Sequence, residues 1–247
     1  MANVTIWNEF LHEQAEGAVG DLCRKCYPKG IHAHLKKALG ATMKDMKFRA
    51  VSLDMPENGL PDKVLNNTDV LVWWGHMAHD KVPDALVDKI QKRVLGGMGL
   101  IVLHSGHMSK IFRRMMATSC TLRWREIGEK ERVWVVEPSH PIAAGVADSF
   151  EIEHTEMYGE PFGIPHDAEV VFMSWYAGGN VFRSGFTVKR NAGKIFYFAP
   201  GHETLPIYHN KNVLKVLENA VRWAVPENGV GPAPSCPNEK DPLEPVK

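Results

Sequence analysis

Cysteine is scarce in this sequence, with four among 247 residues. So few thiols cannot staple a domain of this size, and reduced cysteines fit a cytoplasmic protein. Net charge is missing too: Lys+Arg and Asp+Glu each number 29. A balanced chain has no long-range field to draw in nucleic acid or an anionic membrane, so neither is expected as a partner. Long hydrophobic runs are also absent, since no window approaches the roughly 20 apolar residues of a membrane span. The opening Met1-Ala2-Asn3-Val4-Thr5-Ile6-Trp7 has no basic region ahead of an apolar stretch, so no secretory leader is expected. Repeats are lacking, and composition shifts only near the end. Residues 1–225 therefore read as a single α/β domain. Residues 226–247, with six prolines and few apolar side chains, read as a flexible tail.

What the sequence does hold is a core and an excess of histidine. Hydrophobic residues make up 44% and charged ones 23%, the balance of a globular protein with a substantial interior. Histidines number twelve. The pattern that organises them is clearest in Gly96-Gly97-Met98-Gly99-Leu100-Ile101-Val102-Leu103-His104-Ser105-Gly106-His107. Glycines stop a helix, a short apolar run follows, and a polar turn closes it. A buried parallel strand delivers functional groups to the carboxyl edge of a sheet in this way.

The same order recurs along the first half of the chain. Strands are expected at residues 3–7, 48–53, 69–74 and 99–103, and helices at 60–65, 82–95, 109–117 and, late in the chain, 213–224. The helix at 82–95 is amphipathic, with Leu86, Val87, Ile90 and Val94 on one side. Strands alternating with helices predict a flavodoxin-like, doubly wound, mostly parallel sheet whose ligand crevice lies beyond the carboxyl ends of the strands. From Leu122 the texture changes. Strands are expected at 131–136, 150–154 and 170–175, residues 156–162 read as a loop carrying two carboxylates, and residues 185–198 read as an added antiparallel hairpin turned by Asn191-Ala192-Gly193.

Cys23-Arg24-Lys25-Cys26, followed by His32-Ala33-His34, invites a zinc reading. Structural zinc sites, however, usually separate their ligand pairs by about a dozen residues or more. The alternative is a helix start, with Pro28-Lys29-Gly30 as a turn and Ile31, Leu35, Ala38 and Leu39 as a buried stripe.

Several strings in order resemble the ThuA-like family, named for trehalose utilisation: Trp74-Gly75-His76 with His79-Asp80, the stretch from Gly99 to His107, Leu122-Arg123-Trp124-Arg125-Glu126, Glu156-Met157-Tyr158-Gly159-Glu160-Pro161-Phe162, and Pro200-Gly201-His202-Glu203. The resemblance runs over residues 4–225 and implies a fold like that of the class I glutamine amidotransferases. In those enzymes a cysteine occupies a strained strand-to-helix turn two residues before a glycine, and a His-x-Glu pair completes a triad. Here the position two before Gly106 is His104, His202 is followed directly by Glu203, and Cys120 lies beyond the following helix. Glutaminase activity through a thioester is therefore not expected. Ser105 reads as a turn or cap residue, the alternative being a serine nucleophile. The family is linked to trehalose and related disaccharides, with a partner dehydrogenase that makes 3-keto-sugars. The resemblance thus implies carbohydrate catabolism, acting on a disaccharide or its 3-keto derivative as a small-molecule substrate.

Four strand ends supply His12, His76, His104 and His202, and in a doubly wound sheet those ends converge. Two roles stay open. In one, a divalent metal, zinc by preference, is held by a subset of His12, His76, His104, His202 and Glu156 with a position left for a sugar oxygen or water. In the other, no metal is needed, and His104, Glu156, His202 and Glu203 supply acid and base. His79, His107, Arg123, Tyr158 and Glu160 are the expected substrate contacts. Gly96-Gly97-Met98-Gly99 precedes a strand instead of following one, so the chain has no NAD fingerprint. The expectation is an enzyme on sugars, and its rival is a non-catalytic accessory protein that binds a sugar or the dehydrogenase. Homo-oligomerisation is open under either.

Overall fold

The computed structural model describes residues 1–244, so the last three residues of the expected tail lie outside the described residues. Among the described residues nine strands form one sheet: β1 (Ala2–Asn8), β2 (Met46–Ser52), β3 (Val70–Trp74), β4 (Gly99–Leu103), β5 (Arg123–Val135), β6 (Ser149–Gly159), β7 (Glu169–Tyr176), β8 (Val181–Arg190) and β9 (Gly193–Phe198). The helices are α1 (Gly17–Cys26), α2 (Ile31–Thr42), α3 (Asp62–Leu65), α4 (Asp84–Leu95), α5 (Lys110–Met116) and α6 (Lys211–Ala224). Across the sheet the order is β2-β1-β3-β4-β9-β8-β7-β5-β6.

The first five strands of that order pair in parallel. With β9 in fifth place they reproduce the strand order of flavodoxin-like sheets. β3 and β4 are buried along their whole length, as strands covered on both faces must be. Alternate side chains go to opposite faces. Leu71 and Trp73 join Leu86, Val87 and Ile90 of α4 and Phe112 of α5 in one core. Val70, Val72 and Trp74 join Leu35 and Leu39 of α2 and Val213, Val216 and Ala220 of α6 in the other. Caps fix where the helices begin: the Ser109 hydroxyl accepts the Phe112 N–H for α5, and the Asn210 side chain accepts from Asn212 and Val213 for α6.

The second half corrects the expectation of a mostly parallel sheet with one added hairpin. β8, β7, β5 and β6 continue the sheet antiparallel, so it is mixed, with an antiparallel extension as large as a small domain's own sheet. The turn at Asn191-Ala192 falls where expected, but its two strands belong to different halves. A two-residue connection allows only antiparallel pairing, so β9 enters the parallel set while β8 opens the extension.

Residues 156–162 are likewise not one loop, because Glu156 to Gly159 close β6. Thr155, Glu156, Met157, Tyr158 and Gly159 are all buried, so the polar–apolar alternation that marks a half-exposed strand is absent there. Its partner β5 starts at Arg123, well before the expected 131. The β5–β6 register shifts between Arg125 and Glu129 and again between Glu129 and Glu131. Gly128 supplies a φ of 67° in that interval, and such bulges bend a hairpin and re-aim its side chains.

α1 has no counterpart in the sequence reading, since its two glycines depress helix propensity. Tertiary contacts compensate: the Arg24 guanidinium donates to the Glu13 and Ala15 carbonyls at 2.8 Å each. Cys23 and Cys26 thus lie on a helix, with Cys26 Sγ donating to the Thr204 carbonyl at 3.0 Å. His32 Nδ1 meets Asn8 Nδ2 at 3.1 Å and His34 Nε2 donates to the Tyr208 carbonyl at 2.9 Å. Among the described residues none of these four takes part in a metal-competent cluster, so the zinc reading of that segment is set aside. Residues 226–244 form no helix or strand, but Gly231 N–H donates to the Gly96 carbonyl at 2.8 Å, which ties the start of the tail to the α4–β4 turn. Among the described residues no helix is long and apolar enough to cross a membrane.

Candidate active site

β1, β3, β4 and β9 are consecutive neighbours in the sheet. Their carboxyl ends lead into His12, His76, His104 and the His202-Glu203 pair, so residues far apart in sequence meet at one edge. The bent β5–β6 hairpin brings Glu126, Glu156 and Tyr158 over the same edge. Between them lies a cavity of about 550 Å³, lined among others by Glu156, Tyr158, His202, Glu203, His76, His79 and His107.

His104 sits at the apex of the turn after β4 with φ 48°, the left-handed region that a residue with a Cβ enters only when its surroundings hold it. β9 does the holding. The Tyr197 hydroxyl donates to the His104 carbonyl at 3.0 Å, and His104 Nδ1 lies 2.9 Å from the Ala199 carbonyl. A carbonyl only accepts, so Nδ1 carries a proton and Nε2 faces the site. Glu156 Oε2 lies 3.0 Å from that Nε2, an ion-pair distance without good hydrogen-bond alignment, and has no other partner. Tyr158 stacks on the ring at 4.7 Å and 6°, its hydroxyl 3.3 Å from Nε2. Gly201 must be glycine here, because a Cβ would come within 2.3 Å of the Tyr208 hydroxyl and 2.8 Å of His104 Cβ.

His202 has the opposite tautomer. Its Nδ1 accepts the Thr204 N–H at 3.1 Å, with the Thr204 hydroxyl at 2.9 Å, so the ring proton is on Nε2. That Nε2 lies 3.3 Å from Glu126 Oε1. His107 resembles His104, with Nδ1 donating to the Cys120 carbonyl at 2.7 Å.

Burial weighs against charge on these imidazoles. It pulls His202 and His107 down to about 4 and lowers His76 and His79 as well. His104 is the exception: burial opposes its charge, yet the Glu156 carboxylate beside it prevails and its pKa rises. For Glu156, burial pushes up and His104 pulls down, with a net shift downward.

The placement of the expected residues is uneven. Glu156, His202, Glu203, His76, His79, His107 and Tyr158 line the cavity. His104 and His12 do not; they are buried directly behind the lining, His104 at 1% exposure. Arg123 is exposed on the first rung of β5, opposite Gly159, and does not line the cavity. Glu160 points to Arg183, which clamps it with two bonds of 2.8 Å, and it also accepts the Phe162 N–H at 2.6 Å. Its role is to pin the loop after β6. Ser105 lines the cavity, but its hydroxyl donates to the Gly75 carbonyl at 2.9 Å, which leaves it without a base and sets aside the serine-nucleophile alternative.

Glu126 lines the cavity and was not expected there, and Trp124 lines it too, a residue for which stacking on a sugar ring and plain packing were both open. Both belong to the Arg123-Trp124-Arg125-Glu126 string, which is the signal that marks them. Periodicity cannot reach Glu126, because it lies in the bulge between Arg125 and Glu129.

No curated protein matches the chain in sequence. Among solved structures, a ThuA-like protein from Bacteroides uniformis superposes with a TM-score of 0.65 at 15% identity, covering 93% of this chain and 94% of the other. One from Parabacteroides merdae gives 0.67 at 13%, covering 93% and 91%. A glutamine amidotransferase from Thermotoga maritima gives 0.50 at 13%, covering 91% and 98%. At such identities the likeness is one of fold. The sequence pattern described as ThuA, trehalose utilisation, matches residues 3–224. With that match spanning β1 to the end of α6, the chain belongs to the ThuA family.

Proposed function

We propose that this protein is an enzyme of carbohydrate catabolism that enolises a keto-sugar, the 3-keto derivative of a disaccharide, in this cavity. The observation that carries the reading is the Glu156 carboxylate, which lines the cavity with one oxygen unpartnered except for His104 behind it. A carboxylate so placed accepts the proton from the carbon next to the ketone. The electron pair of that C–H bond moves into the enolate, and negative charge develops on the carbonyl oxygen. Two donors line the same cavity for that oxygen: the Nε2–H of His202 and the hydroxyl of Tyr158. His104 does not touch the cavity, so it acts through Glu156 as a positioning residue. Family membership supports a carbohydrate role, and a sugar dehydrogenase is the class of enzyme that supplies the ketone.

The test is deuterium exchange. Wild-type protein and a 3-keto-disaccharide are mixed in D₂O, and loss of the proton next to the ketone is followed by NMR. Exchange that falls by about 10²-fold or more in Glu156→Gln is the expected result. Saturable sugar binding with no exchange would instead favour a non-catalytic accessory protein.

A further inference from the structure

Two clusters at the strand ends have the composition of a metal site, His104 with Glu156 and His202, and His12 with His76 and Glu203. Within each, the candidate ligand atoms lie within 4.8 Å of one another. The first cluster is short of a ligand. His202 Nδ1 is occupied by the Thr204 N–H and its Nε2 carries the proton, so the ring has no free lone pair. Two donors remain, where open zinc sites take three from the protein.

The second cluster is the reverse case. His12 Nδ1, His76 Nδ1 and Glu203 Oε2 are all buried and without a hydrogen-bond partner. His12 and Glu203 are each 7% exposed, so water does not readily compensate them. Their closest approach, His12 Nε2 to Glu203 Oε1, is 3.7 Å, beyond hydrogen-bond reach. Two imidazoles and a carboxylate held together in this state lack an electropositive partner. The backbone around them is fixed: Glu9 accepts the N–H groups of His76, Met77 and Ala78 at 2.8 Å each, which sets the turn that carries His76.

We infer that His12, His76 and Glu203 bind a single divalent first-row transition ion, zinc in preference to others, and that His104, Glu156 and His202 stay outside its coordination sphere. Two nitrogens and one carboxylate oxygen suit zinc and its neighbours, whereas magnesium and calcium take oxygen ligands. His76 and Glu203 line the cavity and His12 lies behind them, so the ion is reached from the cavity side. It would hold a sugar oxygen there; that use of the ion rests on the reading above, while its binding does not.

The experiment uses untagged, chelator-stripped protein titrated with zinc chloride by calorimetry, with metal content read by elemental analysis. One equivalent is expected in wild type, with affinity reduced about 100-fold or more in His12→Ala and Glu203→Ala and retained in His104→Ala. A zinc anomalous map of the wild-type crystal locates the ion without relying on any variant folding. A peak among His12, His76 and Glu203 supports the inference. A peak between His104 and Glu156, or no stoichiometric zinc at all, overturns it. Deuterium exchange without zinc binding defeats this inference alone, and zinc binding without exchange defeats the enolisation reading alone.

Discussion

The Nδ1–H of His104 donates to the Ala199 carbonyl at 2.9 Å, and this one bond decides which nitrogen meets Glu156. A backbone carbonyl on β9's exit thereby sets the protonation chemistry of a side chain on β4's exit. Because β4 and β9 are paired neighbours, the relationship is built into the sheet.

Replacing His104 tests whether it acts through Glu156. Without the imidazole, Glu156 loses the strongest pull that opposes burial and keeps only the weaker ones from His202 and His76, so its pKa should move up. In His104→Ala, turnover is expected to fall by about 10²-fold, and the acidic limb of the kcat/KM profile should move to higher pH. A reduced rate with an unmoved limb would mean that His104 is merely structural.

Gly201→Ala is expected to damage stability and activity together. The added methyl meets the Tyr208 hydroxyl and His104 Cβ at less than van der Waals distance. Overpacking of this kind costs about 1–3 kcal/mol, or roughly 2–12 °C in Tm for a chain of this size. Scanning calorimetry checks it, and a Tm equal to wild type would show that the contact relaxes freely.

Glu131 gives stability a pH dependence of known sign. It is fully buried, accepts from the hydroxyls of Ser174 at 2.5 Å and Tyr176 at 3.3 Å, and burial raises its pKa from 4.5 to about 7. Between those values the folded chain binds more protons than the unfolded one, so this contribution is complete below 4.5 and is lost as pH rises through 7. Glu131→Gln removes the charge and should be the more stable protein at pH 8 by on the order of 3 kcal/mol, with little difference at pH 4.5. Urea unfolding of both proteins at the two pH values measures it. A variant less stable at pH 8 would contradict the account.

The thiols should react in the order of their burial. Cys236 is exposed, whereas Cys23 is buried and its pKa is pushed up to about 12 by burial and by the Glu203 and Glu13 carboxylates. A thiol reagent should label Cys236 in the native protein and reach Cys23 only after denaturation. Rapid native labelling at Cys23 would show that α1 opens.

Much of the parallel half was legible from the chain because its signals are local. Runs such as Val70–Trp74 and Gly99–Leu103 are apolar throughout, end in polar turns and alternate with amphipathic helices, and the same runs place histidines at the carboxyl edge. Glu156 was expected at the site, but its strand was not, because facing the cavity buries polar and apolar neighbours alike. Glu160 looked equivalent to Glu156 in the same string, and only its pairing with Arg183, from β8, separates them.

The sequence by itself determined the alternating elements, the family pattern and the set of strand-end histidines, since each depends on residues adjacent in the chain. Only the tertiary structure decided how those histidines divide. His104 is fixed by Ala199 just past β9, His202 meets Glu126 across a bulge in β5, and His12 and His76 are left facing Glu203. Tautomer and partner are set by which carbonyl or carboxylate lies within about 3 Å, and that is a property of the folded sheet edge and not of any segment of the chain.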